Sequence, residues 1–316
     1  MKITLVGPGI MPIPPTGWGA VEILVWDTKN ALEDLGHEVQ ILNTKDYRHI
    51  INGINSFVPD FVHVHYDEFI DIIPFIQYPN AITSHFGYLE RPKMFGGYIN
   101  VANQFRDVKP NVFCLSPGIE TVYNLMFDIP KENTYVTPNG VNTNNFEFDS
   151  EAKYPDRSIY LAKIDYRKRQ HLFQNIDSLW YAGNLADNNF DRNKNYLGEW
   201  SKEKLYKELT NYGNLCLLSD GEAHPLVCME AFCAGLGVVV CEWGKANLDL
   251  DKEFITVIPE NKINDIEFVE SEIVKNREYS IAHREEILEY SKTFEWKNVL
   301  EKNYIPAIKK VIERWS

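Results

Sequence analysis

The stretch KITLVGPGIMPIPPTGWGAVEILVWDTKNALEDLGHEVQIL, residues 2–42, decides the fold. Lys2–Val6 is a short apolar run that reads as a buried strand, and it ends on the loop Gly7-Pro8-Gly9. Beyond the loop, Val21, Leu24, Val25, Thr28, Leu32 and Leu35 recur at helical spacing. Gly36 is placed to stop that helix, and Glu38–Leu42 makes a second strand. Strand, crossover helix and strand in this order give two parallel strands, the building unit of an α/β sheet.

The same alternation continues along the chain. Further strands are expected at Phe61–His65, Ala81–Ser84, Val112–Ser116 and Thr134–Thr137. His63 and His65 are expected to face opposite sides of theirs, one at least being structural. Between about Asn142 and Asp156 the periodicity lapses into polar residues, the best candidate for an interdomain linker. A second series follows, with Ser158–Ile164, Leu179–Ala182, Asn195–Leu197 and Leu215–Ser219, and with a helix after the N-cap residue Ser201. Pro225–Ala234 reads as a helix with proline in its first turn and Gly235 just past its end, ahead of strands Gly237–Cys241 and Ile255–Ile258. The last fifty residues look helical and close with Trp296–Trp315. The expected organisation is a Rossmann-like domain over 1–150, a second over 151–295, and a terminal helix over 296–316 that packs back on the first.

Composition narrows the function. With 316 residues, 44% hydrophobic and 24% charged, the chain is long enough for two cores and too apolar to be mainly disordered. A formal charge of −13 argues against a general nucleic-acid binder and against docking on anionic lipid. No apolar stretch is long enough for a bilayer or a secretory core, so a cytoplasmic protein without stable membrane insertion is expected. The five cysteines include no Cys-x-x-Cys pair. A zinc site of Cys216, Cys228, Cys233 and Cys241 is conceivable, but these spacings fall inside strand and helix patterns, and reduced core thiols are the better reading.

Three segments could carry chemistry. The loop Gly7-Pro8-Gly9 to Gly17-Trp18-Gly19-Ala20 lets a ligand approach the backbone ahead of a helix N-terminus, although a tight turn also explains its glycines. It is not a dinucleotide fingerprint, because Pro12 stands where the third glycine belongs and no acidic residue ends the second strand. Lys163 and Arg167-Lys168-Arg169 lie at the end of a strand and the start of a helix, the sheet edge where ligands bind. Cations there could neutralise a diphosphate as it leaves, or could be a solvated run, though the helix dipole disfavours them. The third segment, Ser219 to Ala231, carries Glu222 in a loop and Glu230 within an apolar helix. An unpaired carboxylate at Glu230 would cost several kcal/mol, so it has a specific partner, either a ligand or a structural cation.

Glu222 and Glu230 stand seven residues apart, and their context resembles the Glu-x7-Glu signature of the family 4 retaining glycosyltransferases. Four other segments resemble that family in the same order. They are Pro14–Glu22; Asp60–His65 with Thr83–His85; Pro138–Asn142 through Phe146; and Tyr160–Lys168. The resemblance implies a GT-B fold, two Rossmann-like parallel-sheet domains facing across a cleft. It implies a nucleotide-diphosphate sugar as donor, a glycan or small molecule as acceptor, no cofactor and no metal. Glu230 would hold the ribose, while Glu222 and the backbone after His224, at Leu226 and Val227, would position the sugar. Lys163 and Lys168 would hold the diphosphate under the Gly17–Gly19 loop, with His85 near the transferred sugar and Leu197 near the base. Lys163 departs from the family's usual arginine and Arg169 from its usual glycine, and the second domain is trimmed between His171 and Leu215. Asp249-Leu250-Asp251 spells the Asp-x-Asp of metal-dependent transferases in another architecture and is read as a loop or helix-start feature. A sugar-nucleotide epimerase and a catalytically silent binding module are the alternative readings.

Overall fold

Short apolar runs become strands here because the central strands are buried on both faces, as parallel sheets require. The structure, a computed structural model, describes residues 1–16 and 19–315. It forms two compact units, Met1–Gly140 with Trp296–Ser316, and Val141–Glu295. In the first unit β1 (Lys2–Gly7), α1 (Ala20–Asp34), β2 (Glu38–Asn43), α2 (Tyr47–Phe57) and β3 (Phe61–Val64) are followed by β4 (Asn80–Ile82), α3 (Ile99–Val108), β5 (Val112–Cys114), α4 (Pro117–Met126) and β6 (Thr134–Val136). Its sheet runs β2-β1-β3-β4-β5-β6. Ile3, Leu5 and Val6 of β1 are fully buried, and α1 buries Leu24, Val25 and Leu32. Gly36, at φ +81°, lets the chain reverse into β2, a conformation other residues resist.

The second unit holds β7 (Tyr154–Leu161), β8 (Leu179–Ala182), α5 (Lys202–Glu208), β9 (Tyr212–Leu217), α6 (Leu226–Cys233), β10 (Gly237–Cys241), β11 (Ile255–Ile258), α7 (Ile266–Ala282) and α8 (Arg284–Ser291). Its parallel sheet runs β11-β10-β9-β7-β8. Arg284 anchors this unit from a nearly sealed position. Its guanidinium donates to the carbonyls of Asp149 (2.8 Å), Tyr212 (3.0 Å), Thr210 (2.6 Å) and Ala234 (3.1 Å). The chain then returns to the first unit through α9 (Trp296–Val299), a π-helical stretch (Leu300–Tyr304) and α10 (Ile305–Trp315). There Tyr304 bonds His63 Nδ1 at 2.8 Å, and Arg314 reaches the Tyr135 hydroxyl at 3.1 Å.

The architecture is the expected pair of parallel Rossmann-like sheets, with local corrections. The 142–156 stretch is packed onto the second unit, where Glu147 N–H donates to the Tyr206 carbonyl at 2.9 Å and Asp149 N–H to Thr210 Oγ1 at 3.0 Å. Asn195–Leu197 is not a strand. Asn195 and Gly198 take positive φ on either side of a single bridge, Tyr181 to Tyr196. No α-helix follows β7. Asp165 caps Lys168 N–H at 3.0 Å, Arg169 turns left-handed, and two short 3-10 turns, Tyr166–Lys168 and Gln170–Phe173, take the helix's place. His63 and His65 share one side, with ring centres 3.8 Å apart, because alternation with a period of two puts residues i and i+2 on the same face.

Candidate active site

An open parallel sheet offers a crevice at its carboxyl edge where successive connections leave in opposite directions. In the second unit the chain leaves β7 for β8 on one side and returns to β9 on the other. The two loops at that point are the two the sequence singled out, after β7 and after β9. Tyr160, fully buried on β7, ties them together, since its hydroxyl donates to the Lys168 carbonyl and accepts from Leu218 N–H at 2.8 Å. Asp220 N–H adds a 2.7 Å bond to the Arg167 carbonyl, and Arg167 Nη1 donates to the Gly221 carbonyl.

This frame brings Lys168 onto Glu222. The ammonium pairs with Oε1, Arg167 Nη1 stands 3.5 Å from the same oxygen, and the Glu222 side chain is only 10% exposed. Burial pushes the Glu222 carboxyl up, but Lys168 and Arg167 outweigh it and hold the group below its ordinary value. Glu230, buried on α6, has a cation of its own, with Lys202 Nζ 2.6 Å from Oε1. Leu226 and Val227 occupy the first two positions of α6, where N–H groups have no intrahelical acceptor, and the buried His224 precedes them. Lys163 is exposed at the edge, and its carbonyl accepts from Gln170 Nε2 at 2.9 Å. Leu197 packs on the unit's core and donates its N–H to Tyr181 at 2.8 Å. The adjoining Gly183 is sterically required, because a Cβ there would lie 1.9 Å from the Ala162 carbonyl oxygen at φ +148°.

The remaining expected residues belong to the first unit. Gly17 lies outside the described residues. Gly19 caps α1 and makes room for the buried Glu22, whose Oε2 would stand 2.4 Å from a Cβ at that position. Asn43, at the end of β2, pins the loop by accepting from Gly9 N–H (2.8 Å) and donating to the Met11 carbonyl (2.8 Å). His85 stacks on His65 at 5.9 Å, and burial lowers its pKa to about 4. Both ring nitrogens of His65 and Nε2 of His85 have no hydrogen-bond partner among the described residues. Next to them Asp67, its carboxyl pushed up by burial, accepts from Ser84 and from Tyr98 (2.8 Å). The Asp249–Asp251 segment is an exposed turn in which Asp249 caps Asp251 N–H at 3.2 Å. All five cysteines are buried and free. No cluster of three metal-ligating side chains occurs among the described residues.

Sequence reasoning missed the cation on Glu230. Its signal was Lys202 directly after the N-cap Ser201, a place the helix dipole disfavours for a cation. It also missed Tyr160, which alternation marks as core and whose hydroxyl function has no local signature.

No protein-family model matches the sequence, and no curated protein matches it significantly. Solved structures do. Sucrose-phosphate synthase from Thermosynechococcus elongatus aligns over 100% of both chains with a TM-score of 0.79 at 14% identity. AviGT4, a glycosyltransferase involved in avilamycin A biosynthesis, covers 99% of this chain and 98% of its own, with TM-score 0.74 and 17% identity. Anabaena HepE in complex with UDP-glucose covers 99% of both chains, with TM-score 0.70 and 13% identity. No helix among the described residues is long and apolar enough to cross a membrane. At these identities the likeness establishes the fold, and the chain has the GT-B fold of two Rossmann-like parallel-sheet domains.

Proposed function

We propose that this protein is a retaining glycosyltransferase of the family 4 type, which moves a hexose from a nucleotide-diphosphate sugar to a glycan or small-molecule acceptor, without a metal and in the cytoplasm. The observation that carries the reading is the pairing of Lys168 with Glu222 at the switch point of the second sheet, beside the first turn of α6. Glycosyltransferase activity named for the structural neighbours supports it, and the UDP and UDP-glucose held by HepE make a uridine donor the first to test. The buried free thiols suit a reducing compartment.

Each side chain then has a task. Lys168, with Lys163 and Arg167, holds the diphosphate and stabilises the charge that collects on it as the glycosidic bond breaks. Glu222 and the N–H groups of Leu226 and Val227, after His224, orient the sugar hydroxyls. Glu230 keeps Oε2 for the ribose while Lys202 holds Oε1. Leu197 borders the base. The Gly17–Gly19 loop serves the diphosphate, and His85 serves the transferred sugar or the acceptor. Retention follows a front-face course in which the departing phosphate helps to deprotonate the acceptor.

A thermal-shift panel of UDP, GDP, ADP, CMP and their sugar conjugates tests the reading. One nucleotide at a hundred times its dissociation constant should add about 2.7 kcal/mol of stability. Glu230→Gln should remove roughly 1.5–3 kcal/mol of that binding. A folded protein that responds to none of them would leave the silent module as the better reading.

A further inference from the structure

Arg169 occupies a backbone conformation that favours glycine, φ +58° and ψ 17°, directly after Lys168. A side chain in that place is disfavoured locally, so whatever holds it there comes from elsewhere in the unit. Its side chain, only 12% exposed, supplies the answer through the guanidinium. Nη2 donates to Asp220 Oδ1 and to Glu260 Oε1, and Nη1 reaches Glu260 Oε2 at 3.2 Å. Trp243 Nε1 completes Glu260 with a 3.1 Å bond to Oε2. One cation therefore joins the turn after β7 to the loops after β9 and β11, with the connection after β10 bonded to the same carboxylate.

Two consequences follow for the neighbouring residues. Asp220 lies two positions before Glu222 and its N–H holds the Arg167 carbonyl, so fixing Asp220 sets the register of the Lys168 turn against the Glu222 loop. Arg169 also sets a positive charge against the two carboxylates of Asp220 and Glu260, at the edge where an anion has to settle. We infer that Arg169 is a positioning residue, holding Lys168 and Glu222 in the register that receives a diphosphate and cancelling the charge of Asp220 and Glu260 beside it. The inference rests on the donor reading above.

Titration calorimetry with UMP, UDP, GMP and GDP tests it on wild type, Arg169→Gly and Arg169→Lys. Glycine relieves the backbone while removing the clamp, and lysine keeps the charge without the fork that reaches both acids. Wild type should bind the diphosphate at least about tenfold more tightly than the matching monophosphate, the worth of one charge-assisted hydrogen bond. In Arg169→Gly that ratio should fall by about fivefold or more, with monophosphate affinity within about twofold of wild type, and Arg169→Lys should fall between. A folded Arg169→Gly with the wild-type ratio overturns the inference and leaves the donor reading standing. Equal weakening of both nucleotides also overturns it, reducing Arg169 to a structural brace. A wild type that binds none of the four, and responds to neither ADP nor CMP in the thermal-shift panel, removes the donor reading itself. Should Arg169→Gly not fold, an unchanged ratio in Arg169→Lys overturns the inference alone.

Discussion

A lysine ammonium carries three N–H donors and a carboxylate offers about four lone-pair positions, so a paired lysine is not a used-up one. Lys168 can keep Glu222 and still present N–H groups to a phosphate oxygen. The pair also matters to the fold, because both side chains are about nine-tenths buried. Lys168→Met leaves Arg167, at 3.5 Å, as the cation beside Glu222. We expect it to cost about 2–4 kcal/mol, with Glu222→Gln in the same background recovering part of the loss. Urea denaturation of the four proteins gives the coupling, and a value under about 0.5 kcal/mol would show that the pair contributes nothing of its own. The pH dependence has a definite sign. The folded carboxyl sits below its unfolded value, so the pair's stability is complete above about pH 4.3 and disappears as pH falls through the lower folded value. The double variant should lack that acid limb.

At the scale of elements, α5 shows how a helix start serves a distant side chain. Ser201 Oγ accepts from Lys204 N–H at 3.2 Å and fixes the first turn, from which Lys202 reaches Glu230. Ser201→Ala should cost about 1 kcal/mol of stability and weaken nucleotide binding as well, because the helix that aims Lys202 frays. Unchanged nucleotide affinity in a measurably destabilised Ser201→Ala would separate the cap from the site. Arg284 is the stronger anchor. Arg284→Leu strands carbonyls at Asp149, Thr210, Tyr212 and Ala234, and we expect the urea midpoint to report about 3–5 kcal/mol lost. Arg284→Lys should rescue little, since an ammonium cannot reproduce the planar fork.

The same elements show what a sequence states openly. The Ser201 cap, Gly36 and Gly235 past their helices, and the apolar runs of β8, β10 and β11 are local signals, read within a few residues. The partners of Glu230, Arg169 and Arg284 lie 28, 91 and up to 135 residues away, and nothing local names them. Glu222 and Glu230 were legible because a spacing joins them. Lys168 was named as a cation by its basic run, but the pairings of Lys168 with Glu222 and Lys202 with Glu230 were not, because only the fold brings those side chains close.

At the scale of the molecule, the two units should meet acid differently. His63 and His65 of the first unit are buried, with the half-buried His85 beside them, and all three are held below the usual imidazole value by desolvation, with repulsion among them adding to it at His63 and His65. The neighbours of His63 are the hydroxyls of Thr83 and Tyr304 and the ring of Phe113, none of which carries a negative charge to hold an imidazolium. Between pH 6.5 and about 4 the unfolded chain binds protons that this cluster refuses, so stability falls as pH falls, by up to about 1.4 kcal/mol per pH unit for each group. Asp67 opposes them, since its raised carboxyl makes the folded unit bind a proton first, but it is one group against three. Glu222 in the second unit holds its contribution until the carboxylate range. From pH 7.5 to 5.5 the first unit should therefore lose on the order of 1 kcal/mol per histidine, and its calorimetric transition should drop by several degrees while that of the second moves little. Limited proteolysis with mass spectrometry assigns the transitions. His65→Leu should flatten the first unit's response, because it removes the two ring nitrogens that lack partners and a histidine that burial and the repulsion of His63 and His85 hold neutral. A slope unchanged by His65→Leu, or two transitions that fall together, would place the acid sensitivity outside this cluster.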